Sequence, residues 1–458
     1  MASAQIPEAL LKSLEGVTGF DRESFKKVHE EGGQITSVRY NPLKPVDIPA
    51  EYSRIPWSGS GYYLPERPFF TFDPKLHGGV YYVQEASSMF LEQAFHQSVD
   101  QEAPLRVLDL CAAPGGKSTL LQSLISNESL LVSNDVIKSR SNILEENLTK
   151  WGGGNVVVTN NDPKDFAKLE GFFDVIVVDA PCSGSGLFRR DPSAIDEWSE
   201  QNVELCCQRQ QRILADVYPA LKKDGVLIYS TCSYSESEDE EIADWLIDEF
   251  EMTNIPLLVD IDWGIVQTSS LKHNAQGYRF YPDKVRGEGF FISCFRKKEG
   301  NTLKFRQPKK TLLQRLSKDE TAIVLPWLKD GAEISLWKHS DLIIAFPATL
   351  GDVLISLADK LYIRKAGIAV GKIAGKELIP EHSLAVSEIL NEKTVGISLN
   401  LQDALQYLRK EEVKVDGSHR GWVLVLYDGI KLGWIKVLSN RTNNYYPKEW
   451  RILKSENN

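Results

Sequence analysis

Two cysteines stand directly after apolar runs of the sequence, where a thiolate could act as a nucleophile. Cys182 lies in DAPCSG after FDVIVV, and Cys232 lies in STCSY after GVLIY. A thiolate can attack an electron-poor carbon and form a covalent intermediate. Most free cysteines are instead small buried hydrophobes, a role that fits Cys206, Cys207 and Cys294 in their amphipathic or apolar segments. Catalysis and a structural role both remain open for Cys182 and Cys232, whose neighbours are small and polar.

A glycine-rich loop, DLCAAPGGKS, follows an earlier apolar run and precedes a helical pattern. A phosphate-binding P-loop requires GxxxxGK[ST]. Gly116 and Lys117 fit the end of that motif, but Cys111 occupies the place of its first glycine. The other interpretation is a nucleoside-cofactor loop, which predicts an acidic residue about 20 positions further on, at the end of the next strand. Asp135 lies 19 positions beyond Gly116 and favours this second interpretation.

Aspartates follow successive apolar runs of the sequence. Asp109 follows LRVL, Asp135 follows LLVSN, Asp162 follows VVVTNN and Asp179 follows FDVIVV. One such aspartate by itself fits a helix cap or a turn. Because the carboxyl ends of parallel strands lie at one edge of a sheet, the set predicts a ligand site at that edge.

The elements that must position these residues alternate between strands and helices from Leu105 to about Phe295. Near-continuous apolar strands separated by amphipathic helices predict a doubly wound α/β domain, with a parallel sheet covered on both faces. Residues 1–31 show helical spacing, and residues 32–79 have the Pro, Gly and aromatic content of short strands and turns. A basic, proline-containing linker is predicted from Arg296, followed by a β-rich module.

The charge balance differs between the body of the chain and its tail. Of 53 basic and 63 acidic residues, 24 and 18 fall within 301–458, so that region carries +6 and the remainder −16. A uniformly basic nucleic-acid coat protein is thereby excluded. The six cysteines lack CxxC spacing, so neither a disulfide scaffold nor a zinc site is expected. With neither a secretory signal nor an apolar run approaching the ~18 residues of a membrane helix, we expect a cytoplasmic protein without metal.

The segments CAAPGGKS, DAPCSG and STCSY, in this order, resemble the NOL/NOP/Sun-type RNA (cytosine-5)-methyltransferases. SVRYNPLK and QEASSM are similar to segments that precede the family's catalytic domain, and YRFYPDKVRGEGFFISCFRK to its closing strand pair. The tail, with GIAVGKI, EHSLA, GWVLVLYDGIKLGW and NNYYPKEWRI, resembles the C-terminal domain of bacterial enzymes that methylate 16S ribosomal RNA. The resemblance implies an N-terminal RNA-binding module (1–98), a Rossmann-like S-adenosylmethionine-dependent methyltransferase domain (99–300) and a β-rich, PUA-like RNA-binding region (301–458) of one or two lobes.

The resemblance also implies a role for each site residue. Cys232 would add to carbon 6 of cytosine, so that carbon 5 can attack the methyl group of S-adenosylmethionine. Cys182 would assist product release, and Asp179 would contact the cytosine edge. The cofactor site would be lined by Cys111, Ala112, Ala113, Pro114, Gly115, Gly116, Lys117, Asp135, Asp162 and Asp179. The family's second strand often ends in Asn-Glu, whereas here it ends in Asn-Asp, and the shorter carboxylate still reaches a ribose diol.

RNA binding is expected to depend on the basic tail, because the acidic body would repel phosphates. A cytosine inside a duplex is out of reach, so the target must be single-stranded or flipped out. In the tail, cations suited to phosphates alternate with aromatics suited to stacking on bases, and about half of these aromatics are expected to form the tail's own core. The cations are Lys431, Lys436, Arg441, Lys448 and Arg451, and the aromatics are Trp434, Tyr445, Tyr446 and Trp450. The acidic run ESEDEEIADWLIDEFE predicts a helix with one solvated face, not a metal site.

The leading hypothesis is therefore methylation of carbon 5 of a cytosine in 16S ribosomal RNA. The catalytic motifs do not encode the target, so the same chemistry on transfer RNA stays open. A noncatalytic RNA-binding ribosome assembly factor of the same fold is the alternative from another class, and both intact cysteines argue against it. DNA cytosine methylation is disfavoured, because that family is similar only at Pro-Cys and lacks the Thr-Cys nucleophile.

Overall fold

The N-terminal region pairs two helices with a small sheet. The computed structural model describes residues 6–300, 311, 313–415 and 419–454, so most of the proposed linker lies outside the described residues. The antiparallel sheet has the order β2-β3-β1-β4. The elements of this region are α1 (Glu8–Ser13), α2 (Arg22–Glu31), β1 (Thr36–Tyr40), β2 (Ser53–Arg54), β3 (Gly61–Leu64), α3 (Pro74–His77), β4 (Tyr81–Tyr82) and α4 (Leu91–Ser98).

The helical spacing expected over residues 1–31 is interrupted. Gly16 and Gly19 adopt positive φ between α1 and α2. Asp21 then caps α2 by accepting a hydrogen bond from the Ser24 backbone N–H at 2.8 Å. The two helices pack with Phe188, Tyr234 and other residues of the central domain in one apolar cluster.

The central domain contains the predicted doubly wound sheet. Parallel strands run in the order β7-β6-β5-β8-β9, and antiparallel strands β13, β12 and β11 extend the sheet beyond β9, with β10 paired to β13. The order reverses between β5 and β8, where α/β sheets of this type bind ligands. The strands are β5 (Arg106–Asp109), β6 (Leu130–Asn134), β7 (Val156–Thr159), β8 (Phe173–Asp179), β9 (Leu221–Thr231), β10 (Thr253–Asn254), β11 (Val266–Ser269), β12 (Gln276–Phe280) and β13 (Phe290–Arg296).

Helices cover both faces of this sheet, as the apolar character of its strands predicts. One apolar cluster lies beneath α8 and α9, and the other beneath α4, α5 and α6. The helices of the domain are α5 (Gly116–Leu124), α6 (Lys138–Trp151), α7 (Ser193–Glu197), α8 (Glu200–Val217) and α9 (Glu240–Phe250). Among the described residues, no helix is both long and apolar enough to cross a bilayer.

The C-terminal region forms two further sheets, in the orders β14-β15-β16-β18-β19 and β20-β21-β22-β23. Its strands are β14 (Leu313–Arg315), β15 (Ile334–His339), β16 (Leu342–Pro347), β17 (Ile363–Ala366), β18 (Ile368–Ala374), β19 (Glu377–Pro380), β20 (Gly396–Leu399), β21 (Gly421–Tyr427), β22 (Ile430–Val437) and β23 (Thr442–Asn444). Its helices are α10 (Lys318–Val324), α11 (Gly351–Lys360), α12 (His382–Val386) and α13 (Leu401–Leu408).

Strand β17 does not belong to either of these sheets. It pairs antiparallel with β7, so a segment of the tail becomes the edge strand of the central sheet. The tail also contacts the N-terminal region, where Lys75 forms a 2.8 Å ion pair with Asp428. The C-terminal region is therefore built into the rest of the molecule.

Short 3-10 helices complete the chain and include turns beside the strand ends of the central sheet. They lie at Phe70–Phe72, Ser87–Phe90, Pro163–Leu169, Ser185–Leu187, Tyr218–Ala220, Glu236–Glu238, Ile261–Trp263, Leu325–Trp327, Ala348–Leu350 and Lys448–Trp450.

Candidate active site

The two cysteines singled out by their neighbours meet at the carboxyl ends of β8 and β9. Their Sγ atoms lie 3.0 Å apart, both side chains are half-buried, and both thiols are free. The contact with Cys232 and burial raise the pKa of Cys182 well above its usual range. Cys182 therefore keeps its proton at neutral pH and can donate a hydrogen bond to the Cys232 sulfur.

The loops around Cys232 approach each other too closely for side chains. A Cβ atom on Gly186 would lie 2.6 Å from the Gly289 carbonyl oxygen and 2.8 Å from that of Cys232. The Gly186 backbone N–H donates to the Cys232 carbonyl at 2.9 Å. Glycine at position 186 thus lets three segments converge beside the nucleophile candidate.

Asp179 and Lys117 form an ion pair next to the cysteines. Lys117 Nζ lies 2.9 Å from Asp179 Oδ2, and the Ser230 hydroxyl donates to Asp179 Oδ1 at 2.8 Å. Burial alone would lower the pKa of Lys117, but attraction to Asp179 and Asp109 outweighs it and raises that pKa. Negative charge at Cys232 also favours the Lys117 ammonium.

The glycine-rich loop runs from the end of β5 to the first turn of α5. Gly115 adopts φ +115°, and a Cβ there would lie 3.3 Å from Leu144 Cδ1. Asn147 donates to the Pro114 carbonyl at 2.8 Å, and the Ala112 N–H donates to the Asn134 carbonyl at 2.8 Å. These bonds fix the loop at the N-terminus of α5, where small residues let a ligand approach the backbone.

Burial raises the pKa values of two titratable groups near this loop. Burial raises the pKa of Asp109 to about 7, although its 2.6 Å hydrogen bond from the Ser118 hydroxyl opposes the shift. Asp109 Oδ1 is buried and lacks a hydrogen-bond partner among the described residues, so an acceptor is free beneath the loop. Burial also raises the pKa of Cys111 well above its usual range, which argues against Cys111 as a nucleophile.

Asp135 lies directly after β6, at the sheet edge where the sequence predicts a ligand site. Its oxygens accept hydrogen bonds from the backbone N–H groups of Ile137 at 2.9 Å and Ala113 at 3.3 Å. Only 3% of the residue is exposed. The adjacent Val136 and Ile137 are exposed hydrophobics that can flank a base.

Asp162 departs from its expected position. Strand β7 ends at Thr159, and Asp162 caps the following 3-10 helix, where it accepts a 3.2 Å hydrogen bond from the Lys164 N–H. The neighbouring Asn161 accepts from the Tyr362 N–H at 3.1 Å, immediately before β17. The expectation of a strand-end carboxylate is therefore wrong for Asp162, although the residue remains at the same edge of the sheet.

The expectation of a solvated acidic face is wrong for the start of the acidic run. Glu238 and Asp239 are fully buried, and Glu240 is 5% exposed. Asp239 and Glu240 surround the guanidinium of Arg279, with Asp239 Oδ2 and Arg279 Nη2 3.1 Å apart. Sequence reasoning missed these residues because an acidic run looks the same whether it faces water or a cation distant in sequence.

A second missed contact joins the N-terminal region to the cofactor loop. Arg39 is fully buried, donates to Thr119 Oγ1 at 2.6 Å and lies 3.3 Å from the Gly116 carbonyl. Its guanidinium also stacks 4.6 Å from the ring centroid of Trp151. The motif SVRYNPLK thus holds the first turn of α5 in place.

The sheet order and the glycine-rich loop between β5 and α5 fit an S-adenosylmethionine-dependent methyltransferase, and the comparisons with known families show that class. The model for the 16S rRNA methyltransferase RsmB/F family matches residues 97–296. The N-terminal domain of 16S rRNA methyltransferase RsmF matches residues 6–86, and the methyltransferase RsmF PUA domain matches residues 395–452.

Curated relatives support the same assignment over most of the chain. Ribosomal RNA small subunit methyltransferase F of Psychromonas ingrahamii is 30% identical over 416 residues, which cover 86% of this chain and 84% of that protein. The enzyme of the same name from Vibrio atlanticus is 28% identical over 481 residues and covers 98% of each chain. The chain belongs to the ribosomal RNA small subunit methyltransferase F family.

Solved structures agree with the fold. A methyltransferase homologue from Pyrococcus horikoshii is 27% identical, with a TM-score of 0.50 over 64% of this chain and 100% of that chain. NSun6 from Pyrococcus horikoshii, solved with SFG, has a TM-score of 0.54 over 65% of this chain and 99% of that chain. At 20% identity, the second likeness supports the fold alone.

Proposed function

We propose that this protein methylates carbon 5 of a cytosine in 16S ribosomal RNA through a transient covalent bond to Cys232. The observation that carries the proposal is the 3.0 Å contact between the Cys182 and Cys232 thiols at the strand edge. Beside them, the ion pair of Lys117 and Asp179 connects the thiols to the cofactor loop. A noncatalytic assembly factor would have no need for this arrangement.

Carbon 5 of cytosine is a weak nucleophile, and the proposed roles of the side chains address that difficulty. The Cys232 thiolate adds to carbon 6, which makes carbon 5 enamine-like. Asp179, which pairs with Lys117 and accepts a hydrogen bond from Ser230, accepts a hydrogen bond from the cytosine amino group and favours a proton on N3. S-Adenosylmethionine, when bound, supplies an electrophilic methyl group.

Product release requires the bond between Cys232 and carbon 6 to break. Loss of the carbon-5 proton to solvent water restores the double bond between carbons 5 and 6, and the electron pair of the carbon–sulfur bond returns to Cys232. Cys182 lies within contact distance of the departing sulfur and assists this step. We assign the cofactor site to the loop from Cys111 to Lys117 with Asp135, Asp162 and Asp179.

The proposed domain boundaries are 1–98, 99–300 and 301–458, with the first and last regions contacting RNA. In the tail, Trp434 and Tyr446 are fully buried and serve its core, whereas Tyr445 is exposed and packs on Trp422 with ring centroids 4.4 Å apart. Lys436 lies over the same Trp422 ring. Exposed aromatics beside cations suit single-stranded RNA.

The nucleophile assignment is tested with Cys232→Ser and the matched control Cys207→Ser, which changes a half-buried thiol on α8. Labelled methyl transfer from S-adenosylmethionine to 16S ribosomal RNA is measured, with transfer RNA as the competing substrate. We expect Cys232→Ser to lose at least about 1000-fold in kcat, because it removes the covalent step, and Cys207→Ser to remain active. Turnover by Cys232→Ser would overturn the assignment, and transfer to transfer RNA alone would overturn the substrate.

A further inference from the structure

A buried carboxylate lies behind the two cysteine-bearing loops. Glu238 is fully buried in the 3-10 turn before α9. Its Oε1 accepts hydrogen bonds from the Ser183 backbone N–H at 2.9 Å and from Gln210 Nε2 at 3.1 Å. Its Oε2 accepts from the Ser183 hydroxyl at 2.5 Å and from the Ser233 hydroxyl at 2.6 Å. One side chain thus binds the residues that directly follow Cys182 and Cys232.

The directions of these bonds identify Glu238 as an acceptor on both oxygens. The Ser235 N–H donates to the Ser233 hydroxyl oxygen at 3.0 Å, which leaves the Ser233 proton free to point at Glu238. Backbone and amide N–H groups can only donate to Oε1. Each oxygen of Glu238 therefore accepts from two donors, and all four donors are satisfied by this one side chain.

The same network holds the other side of Cys182. Gln210 on α8 donates to the Pro181 carbonyl at 3.2 Å while it also bonds Glu238. The Tyr229 hydroxyl, on β9, donates to the Glu238 carbonyl at 2.6 Å and to Gln210 Oε1 at 3.1 Å. The residue after Cys182 and the residue after Cys232 are therefore hydrogen-bonded to Glu238. The residue before Cys182 is bonded to Gln210, which itself binds Glu238.

We propose that Glu238 is a positioning residue that holds the Cys182 and Cys232 thiols in contact. The expected effect on catalysis rests on the proposed function, whereas the role of Glu238 in holding the thiols together rests on the hydrogen bonds alone. Without Glu238, the Ser183 and Ser233 hydroxyls lose their shared acceptor, and the loops are free to separate. A displacement of the order of 1 Å between reacting groups can cost about 100-fold in rate.

The test uses the full-length protein and the variant Glu238→Ala. Its matched control is Glu241→Ala, because Glu241 is exposed in the first turn of α9, three residues further along the chain. The first measurement is the rate at which diamide, a two-electron oxidant that accepts both thiol hydrogens, forms the disulfide between positions 182 and 232. Peptide mapping under non-reducing conditions identifies the bond. The second measurement is methyl transfer with separate kcat and KM values for the cofactor.

We expect Glu238→Ala to form the disulfide at least tenfold more slowly than the control and to lose about 100-fold in kcat, with the cofactor KM within about twofold of wild type. An unchanged disulfide rate in folded Glu238→Ala would overturn the proposal. So would an equal loss in kcat and in cofactor affinity, which is the mark of a general structural defect.

A milder variant covers the case in which Glu238→Ala does not fold. Ser233→Ala removes one of the contacts to Glu238 and leaves the others, and its control is Ser237→Ala in the adjoining turn. We expect the disulfide to form more slowly in Ser233→Ala than in Ser237→Ala. Equal rates would refute the positioning role of Glu238. Failure of the proposed function has a different signature, because wild-type protein would then lack methyl transfer while the difference in disulfide rate persisted.

Discussion

Replacing Asp179 with asparagine removes a negative charge from the site and preserves the size of the side chain. Asp179 Oδ2 lies 2.9 Å from Lys117 Nζ, and the exposed fractions of the two side chains are 34% and 13%. Asparagine still accepts the hydrogen bond from Ser230, but it no longer offsets the Lys117 charge. The substitution therefore isolates the electrostatic contribution of the carboxylate.

The size of the effect follows from the contact that is lost. A hydrogen bond to a charged group contributes about 1.5–3 kcal/mol, and each 1.36 kcal/mol corresponds to tenfold in rate. Because Asp179 is one-third exposed, solvent screens part of this energy, and we expect a loss of about 10- to 100-fold in kcat/KM. Asp179 is also the main group that raises the pKa of Lys117 against burial, so this pKa falls when its charge is removed. The protonated form of Lys117 is then lost at a lower pH, and the alkaline limb of the activity profile shifts toward neutral pH.

The assay is methyl transfer to 16S ribosomal RNA over a pH series, with Asp174→Asn as the control. Asp174 lies on the same strand, β8, and pairs with Lys222 away from the cysteines. Asp174→Asn should leave kcat/KM and the alkaline limb unchanged. Wild-type activity in Asp179→Asn, or a loss of rate without a shift of the alkaline limb, would refute the role given to the ion pair.

Three further substitutions test other parts of the account. Cys182→Ala should accumulate a denaturant-stable protein–RNA adduct on gels, because addition continues while release slows; full turnover without adduct would remove its role. Arg279→Met should lower the free energy of unfolding by about 3–5 kcal/mol in urea titrations, because it leaves carboxyls buried without a cation. Burial raises the pKa of Asp239 against the opposing charge of Arg279, so without that cation protonation of Asp239 favours the folded state. The deficit should therefore shrink as the pH falls, and a deficit independent of pH would contradict this. Lys448→Ala should weaken RNA binding and reduce its salt slope by about one unit without changing cofactor affinity; an unchanged slope would place Lys448 outside the RNA interface.

The fold was largely predictable because its signals are local. Apolar strands ending in Asp109 and Asp179 alternate with amphipathic helices, and parallel sheets bury such strands on both faces. The two cysteines could be placed at the same edge for the same reason. That their sulfurs touch depends on Gly186 and Glu238, whose close contacts come from separate segments and leave no periodic pattern.

The pairing of β17 and the burial of the acidic run could not be predicted, because each depends on contacts between segments that are far apart in the sequence. The sequence of β17, IRKA, has two cations in four residues, and its pairing with β7 depends on the shape of a distant edge. Truncation of the tail would therefore remove a strand of the central sheet as well as the residues proposed to bind RNA. The burial of Asp239 and Glu240 likewise depends on Arg279, which approaches them only in the folded chain.

The most direct test of the central claim is to trap the covalent intermediate and locate it. In RNA that contains 5-fluorocytidine, fluorine replaces the carbon-5 proton that must leave, so the bond from sulfur to carbon 6 should persist after methylation. We predict that mass spectrometry of the protease- and nuclease-digested complex finds the methylated nucleotide on the peptide that contains Cys232. Attachment at Cys182 instead, or no adduct in the presence of S-adenosylmethionine, would contradict the account.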